Sequence, residues 1–123
     1  MPDFNTSGPI PTISGMHERR DRMERETHRH TLEQIEGEGF PREITLQPGV
    51  SVIGRAPEAL IHLPSKRVSR QHALLRVRGT DCVIADNESD NGIYLNGVKI
   101  HSAVLRDGDV IGVGDSQFRY REG

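Results

Sequence analysis

From Glu43 onward the chain reads with a period of two. "EITLQPGVSVIG" forms two short runs around Pro48-Gly49, and "ALLRVRG", "CVIAD", "GIYLNG", "VIGVG" and "QFRYR" follow, each closed by Gly, Asn or Asp. Successive residues of a strand point to opposite faces, so every run can bury one face and wet the other. Val77, Val83, Ile84, Ile93, Leu95, Val110, Val113, Phe118 and Tyr120 are the β-branched, aromatic and aliphatic residues that suit such strands. Asn96-Gly97 between "IYL" and "VKI" is a strong hairpin signal. Many short strands with regular turns and no helical period predict an all-β fold, an antiparallel β-sandwich. About 80 residues take part, enough for one small core.

The chain before Glu43 differs in kind. Only 33% of the 123 residues are hydrophobic, so part of the chain is expected outside the core. Residues 1–15 are rich in Pro, Gly, Ser and Thr and read as a flexible arm. Residues 16–36, "MHERRDRMERETHRHTLEQIE", lack Pro and Gly and are dense in charge, which predicts a helix ending at Gly37. Its apolar face is thin: Met16, Met23, Leu32 and Ile35.

Several functional classes drop out. A net charge of −2 argues against general nucleic-acid binding. No apolar run approaches the ~18 residues of a membrane span, and the first residues lack the pattern of a signal peptide. Cys82 is the only cysteine, so no disulfide framework exists and a cytoplasmic location is expected. His28 and His30 lack metal-ligand partners, and Asp107 and Asp109 lack the calcium-loop spacing. No nucleophile elbow accompanies Ser69 and His72, and "GVG" at 112–114 opens no helix. No catalysis and no cofactor are implied for this segment.

Polar residues instead gather in loops. Between residues 59 and 80 there are five basic side chains and no acid. Gly54-Arg55 ends one strand, Ser69-Arg70-Gln71-His72 follows in the next long loop, and residues 85–97 carry Asn91-Gly92 and Asn96-Gly97. "GR" at 54–55, "SRQH" at 69–72, "SDNG" at 89–92, "NG" at 96–97 and "DGDVIGVG" at 107–114 together resemble the forkhead-associated (FHA) family. The resemblance covers residues 43–121. It implies an FHA/SMAD-like sandwich of about eleven strands that binds phosphothreonine peptides through loops at one end.

The residue chemistry agrees with that implication. A phosphothreonine carries about −1.5 to −2 charge and three strong acceptor oxygens. The planar donor fork of Arg55 matches them, and the Ser69 hydroxyl can donate to another oxygen. By resemblance Arg70 is a second phosphate contact and Arg67 reads a flanking peptide residue, so acidic partners are favoured. Asn91 can pair with peptide main chain because an amide both donates and accepts. Asn96 has two open roles, peptide contact or hairpin turn. Gly54, His72 and Gly92 are expected to support the site without touching phosphate. Asp90 and Ile93 depart from the family, which often has Ser or Thr before the Asn and Thr after the Gly. A carboxylate at Asp90 near a dianion is repulsive unless it points away or pairs with Arg70.

A phosphothreonine segment is thus the expected partner, with a Ser/Thr kinase upstream and with no nucleic acid or membrane. Thr12, and second Thr6, are candidate phosphoacceptors in the chain's own arm. A helix over 16–36 would be ~31 Å long and could carry Thr12 to the binding end. The stop at Gly123, directly after a strand, suggests a fused C-terminal effector, for which the family offers cyclic-dinucleotide synthases as examples. Two alternatives remain open. One is a phosphate-independent scaffold or oligomerisation sandwich; the other is an anion or nucleic-acid contact through Lys66, Arg67, Arg70, Arg76 and Arg78.

Overall fold

The computed structural model describes residues 29–123. Eleven strands and no helix occur among them: β1 (His30–Glu36), β2 (Arg42–Leu46), β3 (Gly49–Gly54), β4 (Ile61–His62), β5 (Ala73–Arg78), β6 (Asp81–Asp86), β7 (Ile93–Leu95), β8 (Val98–Ile100), β9 (Ser102–Val104), β10 (Val110–Val113) and β11 (Ser116–Glu122). They form a six-stranded sheet, β2-β1-β11-β10-β7-β8, and a five-stranded sheet, β4-β3-β5-β6-β9. Every pair is antiparallel except β3 with β4. The two inner faces meet in a core built from Leu32, Ile53, Leu75, Ile84, Ile93, Ile111, Phe118 and Tyr120, all essentially inaccessible. Alternation decides which residues these are: β5 and β11 bury every second side chain.

One expectation is corrected. The helix over 16–36 does not include its last seven residues, since His30–Glu36 is strand β1. The remainder of that segment, like the arm 1–15, lies outside the described residues. β1 inserts between β2 and β11, with His30 opposite both Leu46 and Glu122. Helix propensities differ by well under 1 kcal/mol per residue, so ladders of main-chain hydrogen bonds on both sides outweigh them. Leu32 then fills the core while Gln34 is buried with its amide donating to Glu36 O and Glu38 O and accepting from Arg42 Nε. The sandwich therefore begins at His30 rather than at Glu43.

The two ends of the sandwich are built differently. At one pole the described chain ends lie side by side, with Arg29 N–H donating to Gly123 O and Gly123 N–H to Arg29 O. His30 anchors this pole: its Nε2 donates to Gly79 O in the β5–β6 turn and its Nδ1 meets the Tyr120 hydroxyl. The loops that precede β5 and β7 lie at the other pole.

Candidate functional site

Strand β3 ends against the loop that leads into β5. Arg55 N–H donates to Ser69 O (3.0 Å), Ala56 N–H to Arg70 O (3.1 Å) and His72 N–H to Ile53 O (2.9 Å). The approach is so close that a Cβ on Gly54 would lie 2.0 Å from Arg70 O, which explains the glycine. Arg55 Nε donates to Val68 O at 3.0 Å, which turns the guanidinium over this loop. Its four Nη hydrogens have no partner among the described residues. Ser69 stands beside it, and its Oγ accepts the Asp90 N–H at 3.1 Å. That bond occupies an oxygen lone pair and leaves the hydroxyl hydrogen to donate outward.

His72 ties the segments together. It is fully buried, its Nδ1 accepts the Ser69 N–H (2.9 Å), and its Nε2–H donates to Gly92 O (2.8 Å). Two fixed partners of opposite kind set the Nε2–H tautomer. Asn91 donates from Nδ2 to Arg67 O at 2.7 Å, so the same amide keeps its oxygen and one hydrogen exposed at the rim. Arg55, Ser69, Arg67, Arg70 and Asn91 are thereby gathered at one pole, with Gly54, His72 and Gly92 beneath them.

Asn96 is not part of this group. It sits at the other end of β7, where Oδ1 accepts the Val110 N–H and Nδ2 donates to Asp109. Its φ of 51° and that of Gly97, 86°, make the β7–β8 turn of the left-handed hairpin type. Its side chain thus makes the bonds of a hairpin turn. Thr6 and Thr12 lie outside the described residues.

Sequence reasoning missed four supports. Asp86 accepts from the Ser89 hydroxyl, and Ser89 Oγ accepts the Gly92 N–H (2.8 Å), which folds the β6–β7 loop on itself. Asn87 donates from Nδ2 to Gln71 O (3.0 Å) and from its N–H to His72 O. Gly114 in the β10–β11 turn packs on Val68, since a Cβ there would lie 2.7 Å from Val68 Cγ2. The Asp-x-x-Ser spacing of 86–89 was the available signal for the first pair.

Four cations stand at this pole. Arg55, Lys66, Arg67 and Arg70 are exposed and make no ion pair among the described residues. Asp90 is exposed, and its carboxylate does not pair with Arg70. Arg76 and Arg78 do not extend this patch. They alternate outward on β5, and Arg78 adjoins the Gly79 turn at the opposite pole.

Residues 51–114 match the FHA domain family. The chain belongs to the FHA family. FhaA of Mycobacterium tuberculosis, an FHA domain-containing protein, is 37% identical over 91 residues, which is 74% of this chain and 17% of FhaA. This chain thus spans less than a fifth of that relative's length. A structure solved in a study of phosphothreonine-dependent FHA domain interactions superposes with a TM-score of 0.71 at 35% identity, over 76% of this chain and 95% of the other. EmbR of Mycobacterium tuberculosis, in complex with a low-affinity phosphopeptide, gives 0.70 at 34% identity, over 76% of this chain and 24% of that one. The FHA assignment makes this segment a recognition module rather than an enzyme. No helix among the described residues is long and apolar enough to cross a membrane.

Proposed function

We propose that this FHA domain binds phosphothreonine peptides at the pole formed by Arg55, Ser69, Arg70 and Asn91. The observation that carries the reading is the pairing of an Arg55 guanidinium and a Ser69 hydroxyl whose remaining donors have no partner among the described residues. Arg55 and Ser69 take the phosphate oxygens, Arg70 adds charge, and Asn91 holds peptide main chain. Arg67 faces a flanking residue and favours an acidic one. The test is calorimetric titration with phosphothreonine, phosphoserine and unmodified versions of one peptide set. Phosphothreonine binds most tightly, and Arg55→Ala weakens it about ten- to a hundredfold, as losing a charge-assisted hydrogen bond of ~1.5–3 kcal/mol requires. Equal binding of the unmodified peptide would overturn the reading.

Within that reading the chain's own Thr12, and second Thr6, are ligands once phosphorylated. Seventeen residues separate Thr12 from Arg29, which lies at the opposite pole. A coil of that length reaches ~21–25 Å on average, against sandwich strands of ~17–20 Å. Phosphorylated peptides spanning residues 1–20 that bind no better than plain ones would remove this part alone. A Ser/Thr kinase acts upstream, the compartment is cytoplasmic, and a fused effector such as a cyclic-dinucleotide synthase is the regulated output. One observation favours a scaffold instead: the unpaired Asp90 carboxylate at the rim. Partner binding that survives Arg55→Ala would identify it.

A further inference from the structure

Lys99 belongs to strand β8, where it lies opposite Tyr94 on the outer face of the six-stranded sheet. Its side chain folds back over Gly92. A Cβ built on Gly92 would stand 2.5 Å from Lys99 Cε and 3.4 Å from Nζ. Gly92 has a φ of +79°, and its carbonyl is the acceptor for His72 Nε2. The ammonium therefore rests against the same main-chain segment that presents Asn91. Adjacent Cα atoms are 3.80 Å apart, so Nζ lies within roughly 9 Å of the Asn91 Cα.

This cation is unengaged. Lys99 is exposed and has neither an ion pair nor a hydrogen bond among the described residues. At the other pole the arrangement is different: Arg119 lies 3.8 Å and Arg121 3.7 Å from Glu33, and Arg121 also reaches Asp107. Arg67 and Lys99 both adjoin Asn91, the first through its main-chain carbonyl bonded to the Asn91 amide and the second across Gly92. A peptide whose main chain is held at Asn91 advances ~3.3 Å per residue, so Lys99 can reach a side chain one to three residues along.

We propose that Lys99 is a specificity-determining residue that selects an aspartate or glutamate in the phosphorylated partner, at a position distinct from the one Arg67 reads. The proposal rests on the phosphothreonine reading of this pole. The contact is an exposed ion pair, so it discriminates between partners by about two- to fivefold and fades with added salt.

The experiment uses the full chain and phosphothreonine peptides with alanine flanks, in which one aspartate is moved along the sequence. The quantity read is the ratio of affinities, aspartate peptide over all-alanine peptide, at each position. At one position or two neighbouring ones the wild-type ratio is about two to five. In Lys99→Met that ratio falls to about one, in Lys99→Arg it is kept, and Arg67→Met leaves it in place while erasing a gain elsewhere. A ratio that survives Lys99→Met, or a wild-type scan with no gain beyond the position lost in Arg67→Met, overturns the role of Lys99. If the all-alanine phosphopeptide binds no better than its unphosphorylated form, the phosphothreonine reading itself falls and takes the proposal with it.

Discussion

Replacing Gly54 with alanine tests the joint between strand and loop on which the binding pole is built. The added Cβ would stand 2.0 Å from Arg70 O, 2.8 Å from Arg70 C and 3.2 Å from Gln71 Cα. Carbon and oxygen approach no closer than about 3.3 Å even in C–H···O contacts, so the loop must retreat by roughly 1.3 Å. All three obstructing atoms are main chain, and no side chain can swing aside to absorb the methyl. The retreat strains the bonds from Arg55 N–H to Ser69 O, Ala56 N–H to Arg70 O and His72 N–H to Ile53 O. With ~1 kcal/mol net for each bond lost and ~1–3 kcal/mol for overpacking, Gly54→Ala costs about 2–5 kcal/mol. At ~4–8 °C per kcal/mol for a domain of this size, the melting temperature falls by about 8–40 °C. Ser69 moves with the loop, so phosphothreonine affinity drops at least about tenfold even where the variant is fully folded. Thermal unfolding by circular dichroism and calorimetric titration well below the new midpoint separate the two effects. A melting point within about 2 °C of wild type, together with affinity within about twofold, would show that strand and loop do not approach this closely.

Four further outcomes follow from particular contacts. His72→Ala leaves a buried Ser69 N–H and Gly92 C=O without their partner, so urea denaturation should register a loss of about 2–4 kcal/mol, with peptide affinity falling alongside. Asp90→Ser removes an unpaired carboxylate from the rim and raises affinity for a phosphothreonine peptide about two- to fivefold, a gain that titrations in high salt diminish. Asn96→Ala takes the acceptor from Val110 N–H and puts alanine at a φ of 51°, costing about 1–2 kcal/mol in denaturation while leaving peptide affinity within about twofold. Burial pushes the Cys82 thiol up from 9.0 to about 12, with the Glu122 carboxylate adding to it. The folded state then holds a proton that the unfolded state has released, so stability is level below pH ~9 and falls by ~1.4 kcal/mol per pH unit up to about 12. Tyr120, shifted upward mainly by burial, acts in the same direction from its ordinary value of 10.0. Denaturant midpoints at successive pH values check the slope, and Cys82→Ala should flatten its lower part.

How legible a strand was depended on whether its own residues alternate. β5 and β11 alternate cleanly, and both were visible as "ALLRVRG" and "QFRYR". β1 carries Glu33 between buried Leu32 and Gln34, ends on exposed Glu36 and follows a charged, glycine-free segment, so local composition pointed to a helix. What makes it a strand is the open edge offered by β11 and β2, more than 80 and about ten residues away in sequence, which no local window contains. β4 and β9 have two and three residues, too few to show any period. The two Asn-Gly pairs are a sharper case. Asn91 and Asn96 carry the same dipeptide, yet five residues along an extended chain span ~17 Å, which separates the rim from the opposite pole. Composition of the turn cannot distinguish them; the direction of β7 does.

The same logic explains why the supporting residues were easier to read than the full ring of contacts. Gly54, His72 and Gly92 answer to main-chain geometry: a carbonyl at 2.0 Å from a would-be Cβ, an N–H and a C=O that one buried imidazole can satisfy together, and a turn with φ of +79°. Such demands admit few residue types, so their spacing stands out. Because the loops are held by main chain and by His72, none of the surface cations is needed to brace them. Arg67, Arg70 and Lys99 make no ion pair among the described residues, whereas Arg55 lends only its Nε to the scaffold. A cation with no structural duty can change identity without unfolding the domain, and Lys99, outside every motif read in the sequence, carries no recognisable spacing. Lys99 reaches the rim only because β8 folds back beside β7 and Gly92 leaves room for its side chain. Variants at Gly54 and His72 should therefore lose stability and binding together, while variants at Arg67, Arg70 and Lys99 should alter binding with the melting temperature almost unmoved.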